Sequence, residues 1–258
     1  MSDSIDDRRL APIGLVASLL YFGIPAAIFS ASILGLLPWM IRLGASQLFT
    51  FYVTFGGPLA LLLVCSLVAY RWEGRPWHWA PFRDRMRLQR MTSRDWIFTV
   101  ALIAVIYGGQ MLVGPYIAPL FDGVRFFNAP KEFGEVMSGL QTGVFDNMRM
   151  HGRWDVFIGM TLSLFVFNIL GEELWWRGII LPRQEVALGK WAWLVNGVLW
   201  DAFHFFYHTT LANFVAYIPL TVPLAYVAWK TRSTWPGIIS HLATNIAVIV
   251  VFWQSVTR

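Results

Sequence analysis

Residues 10–41 read LAPIGLVASLLYFGIPAAIFSASILGLLPWMI, without one charged side chain. Wound as a helix at about 1.5 Å per residue, such a run is longer than the roughly 30 Å hydrocarbon layer of a bilayer. The pattern recurs. No charge falls in residues 43–70, 96–121 or 233–257, and between residues 191 and 229 the only one is Asp201. A further apolar run starts at Val156 and ends abruptly in Gly171-Glu172-Glu173. The 191–229 stretch holds two helices with a turn near His208-Thr209-Thr210. The expected fold is therefore an all-α, polytopic membrane bundle of about seven transmembrane helices, within a range of six to eight.

Composition agrees. Of 258 residues, 57% are apolar or aromatic and 14% are charged, against about 25% charged in soluble domains. So little polar surface does not cover a water-exposed globule, and disordered or coiled-coil chains have far more charge. The formal net charge of +5 sits in loops between apolar runs. We read it as positive-inside topology and attraction to anionic lipid, not as a nucleic-acid surface. Cys65 is the single cysteine, so no intrachain disulfide and no cysteine-based zinc site is available.

With the N-terminus in the cytoplasm and seven spans, the inner segments hold 14 Lys and Arg and the outer segments 6. The inner set includes Arg8, Arg9 and seven arginines between residues 71 and 95. The first span is read as an uncleaved helix, because it is longer than a signal-peptide core. The whole chain, 1–258, reads as one membrane domain. Its 1–153 part carries the Arg-rich loop 71–95 and an amphipathic segment 131–149, where Phe133, Met137, Leu140, Val144 and Met148 recur at helical spacing. That segment reads as an interfacial helix, packed on the bundle or gating it. The 154–258 part holds the candidate core of the site.

Ionisable groups inside membrane spans are costly and ask for a reason. They cluster in the last third: Glu172, Glu173, Asp201, His204, His208 and His241. On an α-helix Glu173 and Arg177, at i and i+4, lie about 40° apart, whereas Glu172 lies about 140° from Arg177. Glu173 is thus expected to be neutralised by Arg177, leaving Glu172 to face something else. On the next helix Trp200 and His204 are i,i+4 neighbours, so the indole would wall one side of the imidazole. Asp201, His204 and His208 share a face that could hold a metal. In the last span His241 and Asn245 could aim two donors at one point, as an oxyanion hole requires, or simply glue helices together. Counted from Arg183, Lys190 and Arg232 as cytoplasmic anchors, Glu172, His204 and His241 lie roughly 16, 21 and 14 Å deep. Three helices of alternating direction would bring them to one level.

Together, Glu172-Glu173-x-x-x-Arg177, Trp200-x-x-x-His204 and His241-x-x-x-Asn245 resemble the CPBP family of intramembrane proteases, which includes the CAAX prenyl endopeptidases and bacteriocin-processing proteins. The resemblance covers about residues 165–250. It departs at Trp200, where the family pattern has phenylalanine. It implies an endopeptidase that hydrolyses a peptide bond within the bilayer without a cofactor. Glu172 and His204 would activate a water, His241 and Asn245 would stabilise the oxyanion, and Glu173 and Arg177 would hold the helix. The implied partners are a peptide or membrane-protein substrate and the lipid bilayer, and the implied location is a bacterial inner membrane. Two other readings use the same residues: a zinc endopeptidase with Glu172, His204, His208 and His241 as ligands, or a non-catalytic adaptor or immunity protein. A proton-coupled transporter is disfavoured because no repeated halves are visible.

The charge bias makes a topology prediction. Alkaline phosphatase, which needs an oxidising compartment for its disulfides, should be inactive when fused after Asp84 and active when fused after Asn128. The opposite pattern would invert the topology.

Overall fold

The computed structural model describes residues 10–258, so Arg8 and Arg9 of the inner tally lie outside the described residues. It is all-α. Among the described residues six helical runs are long and apolar enough to cross a membrane, and the only strand-like feature is an isolated bridge between Arg125 and Thr210. The first three runs are α1 (Leu15–Arg42), α2 (Gln47–Trp72) and α3 (Ser93–Phe121). A loop helix, α4 (Lys131–Thr142), follows.

The next run, Trp154–Phe206, is 53 residues long, which would be about 80 Å if straight. It is not straight. Trp200 donates a hydrogen bond to Glu172, 28 residues earlier, so the chain reverses between them. The reversal falls at Gly189, with φ 55° and ψ −127°, a conformation closed to residues that carry a Cβ. Its two arms are α5 (residues 154–188) and α6 (Ala192–Phe203). Two backbone bonds tie the chain just beyond α6 to the loop after α3: Phe126 N to Thr209 O and Leu211 N to Val124 O, each 2.9 Å. Thus α6 passes from one end of the bundle to the other, although its 12 residues are fewer than the roughly 20 of an ordinary crossing. Last come α7 (Leu211–Thr231) and α8 (Trp235–Thr257). The six runs therefore contain seven passes.

Polarity is distributed as a bilayer demands. Leu15, Val16, Leu19, Ile97, Val100 and Val250 are exposed, while polar groups turn inward and pair. Asn196 on α6 donates to Gln184 Oε1 at 2.9 Å and to Trp176 O at 3.1 Å. Gln184 in turn donates to Ser18 Oγ on α1 at 2.9 Å. This chain fixes α6 against α5 and α1, and so sets where the following His204 can stand.

At the Arg-rich end, the loop after α2 straps α5 and α8. Arg85 makes two 2.6 Å bonds to the Glu73 carboxylate and a 2.5 Å bond to Gly178 O. Arg183 reaches the same carboxylate at 2.6 Å. Arg87 grips Glu185 in bidentate fashion at 2.6 and 2.9 Å, and Thr234 Oγ1 donates to Met86 O at 2.7 Å.

One expectation is corrected. The stripe read from Phe133 to Met148 is not one helix, because α4 stops at Gly143, which takes a left-handed φ of 71°. Beyond that turn Val144 is exposed. A Cβ at Gly143 would also run into the Ser255 hydroxyl of α8, so the turn and the close packing need glycine together.

Burial alone would push the Glu73 carboxyl up, but hydrogen bonds and charge from Arg85 and then Arg183 outweigh it and hold it below its ordinary value. A carboxyl depressed in the fold contributes stability above its unfolded pKa, and that contribution is lost as pH falls through the folded value. Thermal stability should therefore drop as pH goes below about 4.5. Glu73→Gln should flatten that acid dependence and destabilise the protein by about 3–5 kcal/mol in melting experiments at neutral pH.

Candidate active site

Glu172 and Glu173 sit on a single α-turn, Gly171–Glu173, between two π-wound stretches, Ser163–Leu170 and Leu174–Ile180. Widened turns recur in this chain, at Ser32–Leu36, Tyr52–Gly56 and Val113–Ile117, and here two of them flank the glutamates. Glu173 has no exposed surface. Its Oε1 meets Arg177 Nη1 at 3.4 Å and His241 Nδ1 at 3.2 Å. The Arg177 pairing was expected and the His241 pairing was not, because it crosses from α5 to α8. Arg177 Nε and Nη2 make no hydrogen bond. The guanidinium carbon instead stands 3.8 Å from the ring centre of Trp200, where the π face partly offsets its charge.

Glu172 is turned away from this pair, as the helical geometry predicts. Its Oε2 accepts hydrogen bonds from the Trp200 indole at 2.6 Å and the Trp176 indole at 3.3 Å. Both donors fall on one oxygen, and no described side chain bonds to Oε1. Trp200 is therefore more than the wall expected beside His204. Its ring does lie edge-on to that imidazole at 5.5 Å, but its N–H holds the carboxylate. The Trp176 donor was legible in principle, being four residues after Glu172.

His204 Nδ1 lies 2.7 Å from Trp200 O. A carbonyl only accepts, so Nδ1 carries the proton and Nε2 keeps a lone pair. His241 Nδ1 is likewise taken by Glu173. Asn245 Nδ2 donates to His241 O at 3.0 Å, so one of its two amide protons is committed to its own helix.

These residues meet at one cavity of about 220 Å³ whose lining includes Glu172, His204, His241 and Asn245. Met137 and Leu140 of α4 form part of its cover. Sequence reasoning missed three polar members of the lining, Asn168, Tyr207 and Tyr217. Asn168, one turn before Glu172, carried a signal in its i,i−4 spacing. Tyr217, whose ring centre is 4.7 Å from that of His204, carried none, since it comes from α7.

The four-residue zinc alternative is not assembled. Among the described residues no three His, Cys, Asp or Glu side chains gather as ligands of one ion. Helix α6 tightens into a 3₁₀ turn at His204–Phe206, and the His208 ring stays 5.8 Å from that of His204. The His208 imidazole faces Asp201, Nδ1 to Oδ1 at 3.8 Å, and is not part of the cavity lining.

Fold and site together define a polytopic membrane protein with a largely apolar cavity between its helices, onto which a small cluster of polar side chains opens. Residues 154–247 match the Rce1-like family described as "Type II CAAX prenyl endopeptidase Rce1-like", and the chain carries a domain of that peptidase family there. The match spans α5 to α8 and includes Glu172, Glu173, Arg177, Trp200, His204, His241 and Asn245. Membership implies an intramembrane protease, with peptides as the class of substrate and the bilayer as the setting. No curated protein matches the chain. No solved structure matches it either.

The closeness of α8 to α5 depends on Gly237, where a Cβ would collide with Glu173 Oε2 and stand 3.3 Å from Leu224 Cδ2. Glu173 is held on two sides and has little room to yield. Gly237→Ala should cost about 1–3 kcal/mol by overpacking and lower activity with it, whereas Gly108→Ala, where a Cβ meets nothing within 4 Å, should leave both unchanged. Melting temperature and turnover of the two variants check this.

Proposed function

We propose that the protein is a glutamate-dependent intramembrane endopeptidase. The observation that carries this reading is the single cavity onto which Glu172, His204, His241 and Asn245 open. A water there is oriented by two acceptors, Glu172 Oε1 and His204 Nε2. Glu172 takes its proton as the oxygen attacks the scissile carbonyl carbon. The negative charge that develops on the carbonyl oxygen is met by the remaining Asn245 amide proton and by His241. The latter is held in place through Nδ1 by Glu173. Glu172 then returns the proton to the leaving amine, and the C–N bond breaks. Water adds across the amide, and the enzyme ends as it began.

Glu173 and Arg177 take no direct part. Their pairing, with His241, keeps the donor side of the cavity in place. Low local polarity strengthens every one of these interactions. The N-terminal part, 1–153, serves as scaffold and cover for the 154–258 catalytic part, and the Arg-rich loop faces the cytoplasm.

Glu172→Gln and His204→Ala should each lower turnover by at least about 100-fold while the protein stays folded and inserted. Mass spectrometry of membrane peptides from cells carrying wild-type or Glu172→Gln protein supplies the readout, through cleavage products that vanish in the variant. Wild-type-like turnover by Glu172→Gln would end the proposal.

A further inference from the structure

We infer that Trp200 is the positioning residue for both acceptors of the attacking water, an inference that rests on the reading of Glu172 as the base. Two independent contacts carry it. The Trp200 indole N–H donates to Glu172 Oε2 at 2.6 Å, the short end for a bond to a carboxylate. The backbone carbonyl of the same residue accepts from His204 Nδ1 at 2.7 Å. One residue thus occupies the carboxylate oxygen that is not used and the imidazole nitrogen that is not used. What remains for water is Glu172 Oε1 and His204 Nε2.

The third contact sharpens the first. Arg177 lies over the Trp200 ring at 3.8 Å, and two of its nitrogens have no other partner. A cation on the π face draws electron density from the indole and makes its N–H a stronger donor. The charge of the Glu173–Arg177–His241 group is thereby felt at Glu172 without a direct bond to it. A phenylalanine at this position, the aromatic of the family pattern that the chain resembles, would offer Arg177 a face and His204 a carbonyl. It would offer Glu172 nothing. Trp176, the second donor at 3.3 Å, is too long to replace it.

A positioning role for the N–H is separable from packing. Trp200→Phe removes both the N–H and part of the ring. Replacement of Trp200 by benzothienylalanine, in which sulfur stands for N–H, keeps the bicyclic shape. Both should lower kcat by about 10- to 100-fold, the loss expected for one hydrogen bond to a charged group, with KM within about twofold of wild type. Trp176→Phe should lower kcat less. Wild-type kcat in the benzothienylalanine protein would overturn the inference and leave Trp200 a packing residue. A fall in that protein through KM or melting temperature, with kcat intact, would do the same. Glu172→Gln run alongside separates the two levels. If it is inactive while the Trp200 variants are normal, only the inference fails; if it is active, the reading of Glu172 fails.

Discussion

Glu173 is a carboxylate with no exposed surface in the middle of an apolar bundle, and such a group persists only when opposite charge and donors are brought to it. Arg177 comes from the next turn of α5 and His241 from α8, at 3.4 and 3.2 Å. Trp200 of α6 then receives the face of Arg177 and passes a hydrogen bond to Glu172. Three helices are therefore locked at one level by the need to satisfy one buried charge. The same requirement explains the bare glycine at position 237, where a Cβ would meet Glu173 Oε2. A bundle held only by apolar packing would have no reason for it.

The site lies between two structural restraints. At the Arg-rich end, Glu73 and Glu185 collect arginines from the loop after α2 and from α5, clamping the end of α5 beyond the turn that carries Glu172 and Glu173. On the other side, α4 covers the cavity with Met137 and Leu140. Between these, the apolar belt does electrostatic work, since it keeps the effective dielectric low around a few polar atoms.

Much of this was legible in the sequence, and the reasons are local. Charge-free runs identified the spans, because a bilayer tolerates little else. Residues 191–229 were rightly divided into two helices at the His208–Thr210 turn. Helical spacing separated Glu172 from the Glu173–Arg177 pair, and equal depth from the flanking basic residues brought three polar segments to one level. What escaped was contact between helices. His241 reaching Glu173, Trp200 bonding Glu172 and Tyr217 entering the cavity depend on rotations about helix axes that no spacing encodes. Winding also escaped: a left-handed Gly143 cut short a regular apolar stripe. Trp200 was visible as a departure from a pattern, but its meaning needed the position of its N–H.

The central claim is that a water held by Glu172 attacks the peptide carbonyl directly. Single-turnover cleavage in ¹⁸O-labelled water, with product and protein mapped by mass spectrometry, tests it most directly. Direct attack places the label in the new C-terminal carboxylate of the product and none in the Glu172 side chain. Label in the Glu172 carboxylate would instead mean that the glutamate itself attacked the peptide and was released by water, which would contradict the account.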